Sequence, residues 1–126
     1  VSNTGNGNTA VWFEALRDNT EGGENTAVGY QSLAANTSGG NNVAVGHFAL
    51  QGNTDGSYNI GIGQETLYAN AGNNNTVVGC LAMGLNGSGS DNCVLGMQAL
   101  RSNTTGGSIV AAGYNALFSN TTGSSA

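Results

Sequence analysis

Hydrophobic and polar positions recur along the chain every 17 residues, with one interval of 16. The clearest marker is an asparagine that returns in every copy, at Asn19, Asn36, Asn53, Asn70, Asn86, Asn103 and Asn120. A tandem repeat this short and this rich in Gly, Asn and Thr predicts a parallel β-solenoid, in which each residue lies above its equivalent one coil away. We expect one all-β repeat domain over 1–126, with coils that start near 8, 25, 42, 59, 75, 92 and 109.

Numbered from those starts, the repeat reads N-x-A-V-G-Y-x-A-L-x-x-N-T-x-G-x-x. Position 4 carries mostly β-branched residues, namely Val11, Val28, Val45, Ile62, Val78, Leu95 and Ala112. Position 9 carries Leu16, Leu33, Leu50, Leu67, Met83, Leu100 and Leu117. Stacked β-branched side chains suit a parallel sheet that is packed on a core. The pattern therefore predicts strands around position 4 and a core filled by positions 4 and 9.

Large residues at positions 2 and 4 alternate with small ones at positions 3 and 5, which is the period of a strand with two different faces. The small positions indicate close backbone approach, either by the opposite wall of a narrow solenoid or by another subunit. After the strand, the spacing from Tyr30 to Leu33 suits a second short strand or a helical turn, and we favour one helical turn or less. Trp12 and Phe13 depart from the repeat and are expected to cover the end of the core.

The Asn-Thr-x-Gly segment at positions 12–15 is typical of a turn, because Asn tolerates left-handed conformations and Gly adopts positive φ. An asparagine in every coil also allows side-chain amides to hydrogen-bond along the stack. We therefore interpret the asparagine column as structural rather than as a ligand-binding site.

Composition narrows the functional classes. Charged residues make up 7% of the chain, Arg17 and Arg101 are its only Lys or Arg residues, and the net charge is −5. This charge disfavours binding to nucleic acid or to an anionic membrane surface. No apolar run approaches about 18 residues, so we expect no membrane insertion. The absence of proline fits a continuous hydrogen-bonded ladder, and the fixed apolar positions argue against disorder.

Several segments resemble known repeats, notably NTAVGY at 25–30, NVAVG at 42–46 and NCVLG at 92–96. They are similar to the head repeats of trimeric autotransporter adhesins and to the N-T-A-V-G-Y-x-A-L repeats of phage and virus tail-fibre shafts. The resemblance covers essentially the whole chain. It implies a β-roll or β-helix, commonly with left-handed coils, that trimerises side by side.

The same resemblance implies a structural function. We expect a stiff homotrimeric shaft or head of a viral tail fibre or surface adhesin, located on the virion surface or outside the cell. Such a rod supports host attachment, with a cell-surface glycan or protein as the receptor. The coil is longer than that of the adhesins, and the chain has no coiled-coil stalk, outer-membrane anchor or self-cleaving chaperone domain. We therefore expect a segment of a longer fibre.

No enzymatic site is expected, because catalysis needs a nucleophile, a base and a stabilising group that converge in a pocket. The only histidine, His47, occupies the variable position 6 and is expected to be partly exposed. Glu21 and Glu24 are the only acids close together within one loop, and they could bind calcium. The candidate is weak because the chain has no G-G-x-G-x-D repeat. We expect no catalytic, cofactor or metal site. Recognition could vary at the outward position 7, at Gln31, Phe48, Glu65, Leu81, Gln98 and Asn115.

Cys80 and Cys93 are not expected to form a disulfide. Cys93 should stack on Thr76, which precedes Cys80 by four residues. That offset is roughly 13 Å along a strand, well beyond the reach of about 7 Å between Cα atoms that a disulfide allows. Two free thiols fit assembly in a reducing compartment.

Ice binding and an extracellular filament are the alternative functions. For ice binding, an exposed array could be formed by Thr20, Thr37, Thr54, Thr104 and Thr121, although Ala71 and Gly87 interrupt it. A second candidate row at position 2 mixes Thr with apolar residues, as Thr9, Thr26, Val43, Ile60, Thr76, Cys93 and Val110. For the filament, many copies would join end to end.

Overall fold

A computed structural model describes residues 4–125 as a stack of coils with one short strand in each. The strands are β1 (Thr9–Val11), β2 (Thr26–Val28), β3 (Val43–Val45), β4 (Ile60–Ile62), β5 (Thr76–Val78), β6 (Cys93–Leu95) and β7 (Val110–Ala112). All neighbours pair in parallel, in the order β1 to β7, so each connection between strands makes one full turn of the solenoid. Equivalent residues pair, as Ala27 does with Ala44. The predicted parallel β-solenoid is confirmed, and its left-handed coiling stays a prediction.

The core lies behind position 3 of the strands rather than position 4. Ala27, Ala44 and Val77 at position 3 are fully buried, whereas Val110 at position 2 and Leu95 at position 4 are exposed. The expectation that position 4 fills the core is therefore wrong, while the leucine column at position 9 is buried in the coils from Leu16 to Leu100, as expected. The interior is narrow, so small residues at position 3 face the leucine column directly. A Cβ atom added to Gly61 would lie 3.3 Å from Cδ1 of Leu50.

The segment after each strand is a wide turn, and residues 4–125 contain no helix. The favoured helical turn is therefore wrong. Positions 7 and 9 have positive φ, as in Gln31 (53°) and Leu33 (51°), which is incompatible with a right-handed helix. Their backbone groups bond to neighbouring coils instead, and the Leu33 N–H donates to the carbonyl of Ala49 at 3.0 Å.

Two ladders of buried asparagine side chains run inside the solenoid, at positions 1 and 12. At position 12, Asn36 Nδ2 donates to Asn19 Oδ1 at 2.7 Å and to the Gly39 carbonyl at 2.9 Å. At position 1, Asn25 Nδ2 donates to the same Gly39 carbonyl at 2.9 Å, and Asn25 Oδ1 accepts the backbone N–H of Asn42. These polar side chains are fully satisfied although they are buried. The predicted amide ladder is confirmed.

The glycine at position 15 is required by close stacking and not by positive φ. Asn36 and Gly39 both lie outside the left-handed region, so the predicted turn conformation of this segment is wrong. A Cβ atom at Gly39 would lie 2.3 Å from the Gly56 carbonyl oxygen and 2.6 Å from Asn36 Oδ1, where no side chain fits. The residue with positive φ is at position 17 instead, as in Tyr58 (59°).

The glycine at position 5 combines both constraints. Gly46 has a φ of 136°, and an added Cβ atom would lie 2.6 Å from the carbonyl oxygen of Gly63. This close approach comes from the next coil of the same chain. In the first coil Trp12 occupies this position with a φ of 101° and is 75% exposed. Trp12 and Phe13 lie on the outside of the coil, so the expectation that they cover the core is wrong.

Candidate interaction surface

The most distinctive surface is the outer face of the sheet, which we define as repeat positions 2 and 4 of strands β1 to β7. These positions contain only Thr, Val, Ile, Cys, Leu and Ala, and no charged residue. Large apolar side chains are well exposed on it, including Val11, Ile62, Leu95 and Val110. Exposed apolar patches are typical of interaction sites, which makes this face the candidate one. Because the sheet is parallel and in register, these side chains form two straight rows along the rod.

An aromatic row at position 6 borders the outer face. The rings of Phe13 and Tyr30 stack with centroids 5.8 Å apart, and those of Tyr30 and His47 with centroids 5.3 Å apart. His47 is exposed, as expected. Further along the rod Gln64 and Cys80 interrupt the row, and the exposed Met97 and Tyr114 follow.

Comparisons with protein-family models, curated proteins and solved structures found no match to this chain. The geometry of the chain is therefore the basis of any functional assignment.

The outward residues at position 7 are only partly exposed. Most of them are half-buried, and Asn115 in the last coil is exposed. Phe48 packs its ring edge-on against Tyr30 and Tyr68. Glu65 and Leu81 line a shallow pocket that sequence reasoning did not identify. A role of position 7 in recognition stays a prediction.

The two cysteines occupy different surfaces. Cys93 pairs in register with Thr76, as predicted. Both thiols are free, with Cys93 exposed on the outer face and Cys80 half-buried in the aromatic row. The prediction of two unpaired thiols is confirmed.

Charged groups are few and mostly scattered along the chain. Within residues 4–125 no group of three or more His, Cys, Asp or Glu residues could hold a metal ion, and Glu21 and Glu24 are exposed. Arg17 pairs with Glu14 at 3.1 Å and with Asp18 at 2.8 Å. The hydrogen bond from Arg17 holds the pKa of Asp18 below its ordinary value. Across the described part of the chain, no helix has the length and apolarity to cross a bilayer.

The threonine row at position 13 uses its hydroxyl protons within the solenoid. Thr20 Oγ1 donates to the carbonyl of Thr37 at 3.1 Å, and Thr104 Oγ1 donates to that of Thr121 at 2.9 Å. Ala71 at this position has no hydroxyl. The row is therefore less free to order surface water than its sequence indicates, which does not favour ice binding at this position.

Proposed function

We propose that this chain is a structural segment of a fibre or adhesin, in which three copies pack side by side through the outer face of the sheet. The observation that carries the proposal is that face: two rows of uncharged, largely apolar side chains that a single chain leaves exposed or half-buried. The assembled rod holds a receptor-binding surface away from a virion or cell. A cell-surface glycan or protein is the proposed receptor, and the virion surface or the cell exterior the proposed location.

The size of the face indicates which residues must join the contact. The two rows form a strip about 30 Å long, because the seven strands are spaced about 4.8 Å apart. The strip is about 7 Å wide, the distance from position 2 to position 4 along a strand. A standard interface buries about 800 Å² per partner, which is more than this strip supplies. Further surface beside the strip, including the flanking row at position 6, therefore has to take part.

A symmetric arrangement follows from the geometry of the rod. Cyclic symmetry about an axis parallel to the rod places the same coil of each protomer at the same height, and it closes the assembly. Each coil then contributes its own layer to the contact, so affinity rises with the number of coils. The threefold order comes from the resemblance to trimeric fibres, whereas an end-to-end filament would leave the outer face uncovered.

The solution mass tests this assembly. By light scattering coupled to size exclusion, we expect a stable species near three times 12.5 kDa at two protein concentrations. Ile62→Lys places a charge in the middle of the outer face and should convert this species to monomer, because a buried unpaired charge costs several kcal/mol. Ser38→Lys adds the same charge at an exposed bend and should leave the mass unchanged.

A monomeric parent chain would contradict the trimer. Ice binding by the flat outer face would then become the leading alternative, and thermal hysteresis would be the assay for it. A trimer that survives Ile62→Lys would place the interface elsewhere on the rod.

Thiol reactivity locates the interface independently. Cys93 is exposed on the outer face of a single chain, while Cys80 is half-buried. We expect Cys93 to be alkylated more slowly in the trimer than in the monomeric Ile62→Lys variant, as followed by peptide mass spectrometry. Equal rates for Cys93 in the two proteins would show that the outer face is not the contact.

A further inference from the structure

Several departures from the repeat lie in the middle of the rod. The fourth coil, over 59–74, is one residue shorter than the others. In the fifth coil Met83 replaces leucine at position 9, Gly84 at position 10 has no side chain, and Gly87 replaces threonine at position 13. Where a repeat departs from its own rule without a packing gain, a functional site is the expected reason.

A shallow pocket lies at this level. It has a volume of about 40 Å³ and is lined by Glu65, Tyr68, Leu81, Gly84, Leu85 and Arg101. Tyr68, Gly84 and Arg101 occupy position 10 in three consecutive coils, so the missing side chain of Gly84 opens a gap between the tyrosine and the arginine. The pocket is on the turn segment and not on the outer face of the sheet.

The guanidinium of Arg101 is the unusual group in this pocket. Its Nε atom is buried and has no hydrogen-bond partner among residues 4–125. Arg17, by contrast, is held by Glu14 and Asp18. Arg101 lines the pocket and forms no ion pair with a described residue, so its guanidinium is available to an oxyanion that supplies two acceptor atoms.

Glu65 restricts the kind of oxyanion that fits. It lines the same pocket, yet within the described residues it forms no ion pair with Arg101. A second negative charge on the ligand near Glu65 would be repelled, whereas hydroxyl groups would donate to its carboxylate. The two residues are two coils apart, about 9.6 Å along the rod. An α-amino acid, whose ammonium and carboxylate groups are attached to the same carbon atom, spans this separation poorly.

We propose that the pocket binds a carboxylated sugar of the uronic-acid class. Arg101 binds the carboxylate, Glu65 accepts hydrogen bonds from ring hydroxyl groups, and Tyr68 contacts the apolar face of the ring. The pocket accommodates a carboxylate but not a whole sugar, so most of the ring lies on the surface above Gly84. Only the source of the sugar, a cell-surface glycan, rests on the proposed function; the binding itself does not require the trimer.

Titration with sodium glucuronate at constant ionic strength, followed by NMR, tests this site. We expect saturable shifts of the Arg101 Nε–H and Gly84 amide signals, with a Kd of about 1–10 mM, as suits a single charged group in a shallow pocket. Glucose and acetate should bind at least tenfold more weakly, because one lacks the carboxylate and the other the hydroxyl groups. An equal response to acetate would overturn the proposal.

Three variants complete the test. Arg101→Gln should abolish the response, and the matched variant Arg17→Gln should retain it. Gly84→Gln fills the gap with a residue that Gln51 already places at this position, and an added Cβ atom meets nothing closer than the Leu81 carbonyl oxygen at 3.3 Å. It should remove binding while the melting temperature stays near that of the parent. Retained binding in Gly84→Gln or Arg101→Gln would refute the site.

The outcome is separable from that of the fibre proposal. Glucuronate binding by a chain of monomeric mass would sustain the pocket and contradict the trimer. A trimer whose Arg101 and Gly84 signals do not respond to glucuronate would sustain the fibre and contradict the pocket.

Discussion

Gly46→Ala is expected to lower the free energy of unfolding by at least about 4 kcal/mol, at the exceptional end of single substitutions. Two effects add at this position. The φ of 136° is strained for any residue with a side chain, and the new Cβ atom would lie 2.6 Å from the Gly63 carbonyl oxygen in the next coil. Backbone on both sides leaves no flexible group to move aside. Urea unfolding followed by circular dichroism measures the loss.

Gly113→Ala is the matched control, because it separates the two effects. Gly113 has a similar φ of 119°, but an added Cβ atom there meets nothing within 4 Å. Its cost should therefore be the backbone strain alone, about 1–3 kcal/mol. Equal losses in the two variants would contradict the argument that tight stacking of coils, rather than φ, makes glycine necessary at position 5.

Asn53→Leu is expected to cost about 3 kcal/mol, the price of breaking one of the two internal ladders. Asn53 is fully buried, and its Nδ2 donates to Asn36 Oδ1 and to the Gly56 carbonyl, while its Oδ1 accepts from Asn70. Leucine has a similar size but leaves Asn36 Oδ1 without its donor. Chemical denaturation gives the difference in unfolding free energy.

Thr54→Ala, one residue further on, is the control for Asn53→Leu. Thr54 is exposed, and its hydroxyl reaches only Asp55, at 3.3 Å, so we expect a change below about 0.5 kcal/mol. If Asn53→Leu were as stable as this control, apolar packing would have offset the lost hydrogen bonds. The ladder would then serve register and not stability.

The sequence was sufficient to predict the repeat, the strands and their register, because each of these follows from the period alone. It did not identify which strand face is inside. Val45 and Ala44 lie on opposite faces, and ordinary preferences place the valine in the core. The narrow width of the solenoid determines which face points inward. The interior has room for one column of leucines and, opposite it, only small residues such as alanine. That width is a property of the whole coil and leaves no mark on any single residue.

The turn after the strand was missed for a related reason. Gln31 and Leu33 adopt left-handed conformations that neither residue type favours. The bonds that compensate this strain run to the next coil, as from the Leu33 N–H to Ala49. Local propensity therefore favours helix, and tertiary hydrogen bonding overrides it.

The outer face was only half anticipated, and the pocket not at all. The sequence pattern showed that positions 3 and 4 lie on different faces of the strand, but it did not show that position 4 is on the exposed face. Glu65 and Arg101 belong to different coils, and they line one pocket only because the coils stack in the folded chain. The absent side chain of Gly84 at an otherwise variable position was the one available signal in the sequence.

Two asparagine side chains donate hydrogen bonds to the same glycine carbonyl, and this arrangement determines where such a chain can change in length. The short coil loses its residue between Asn70 and Gly72, yet Asn59 and Asn70 still both donate to the Gly72 carbonyl at 2.9 Å. The stretch between the asparagine at position 12 and the glycine at position 15 can therefore differ in length between coils. A deletion there is absorbed within one coil, because β4 and β5 still pair in register across the shorter coil.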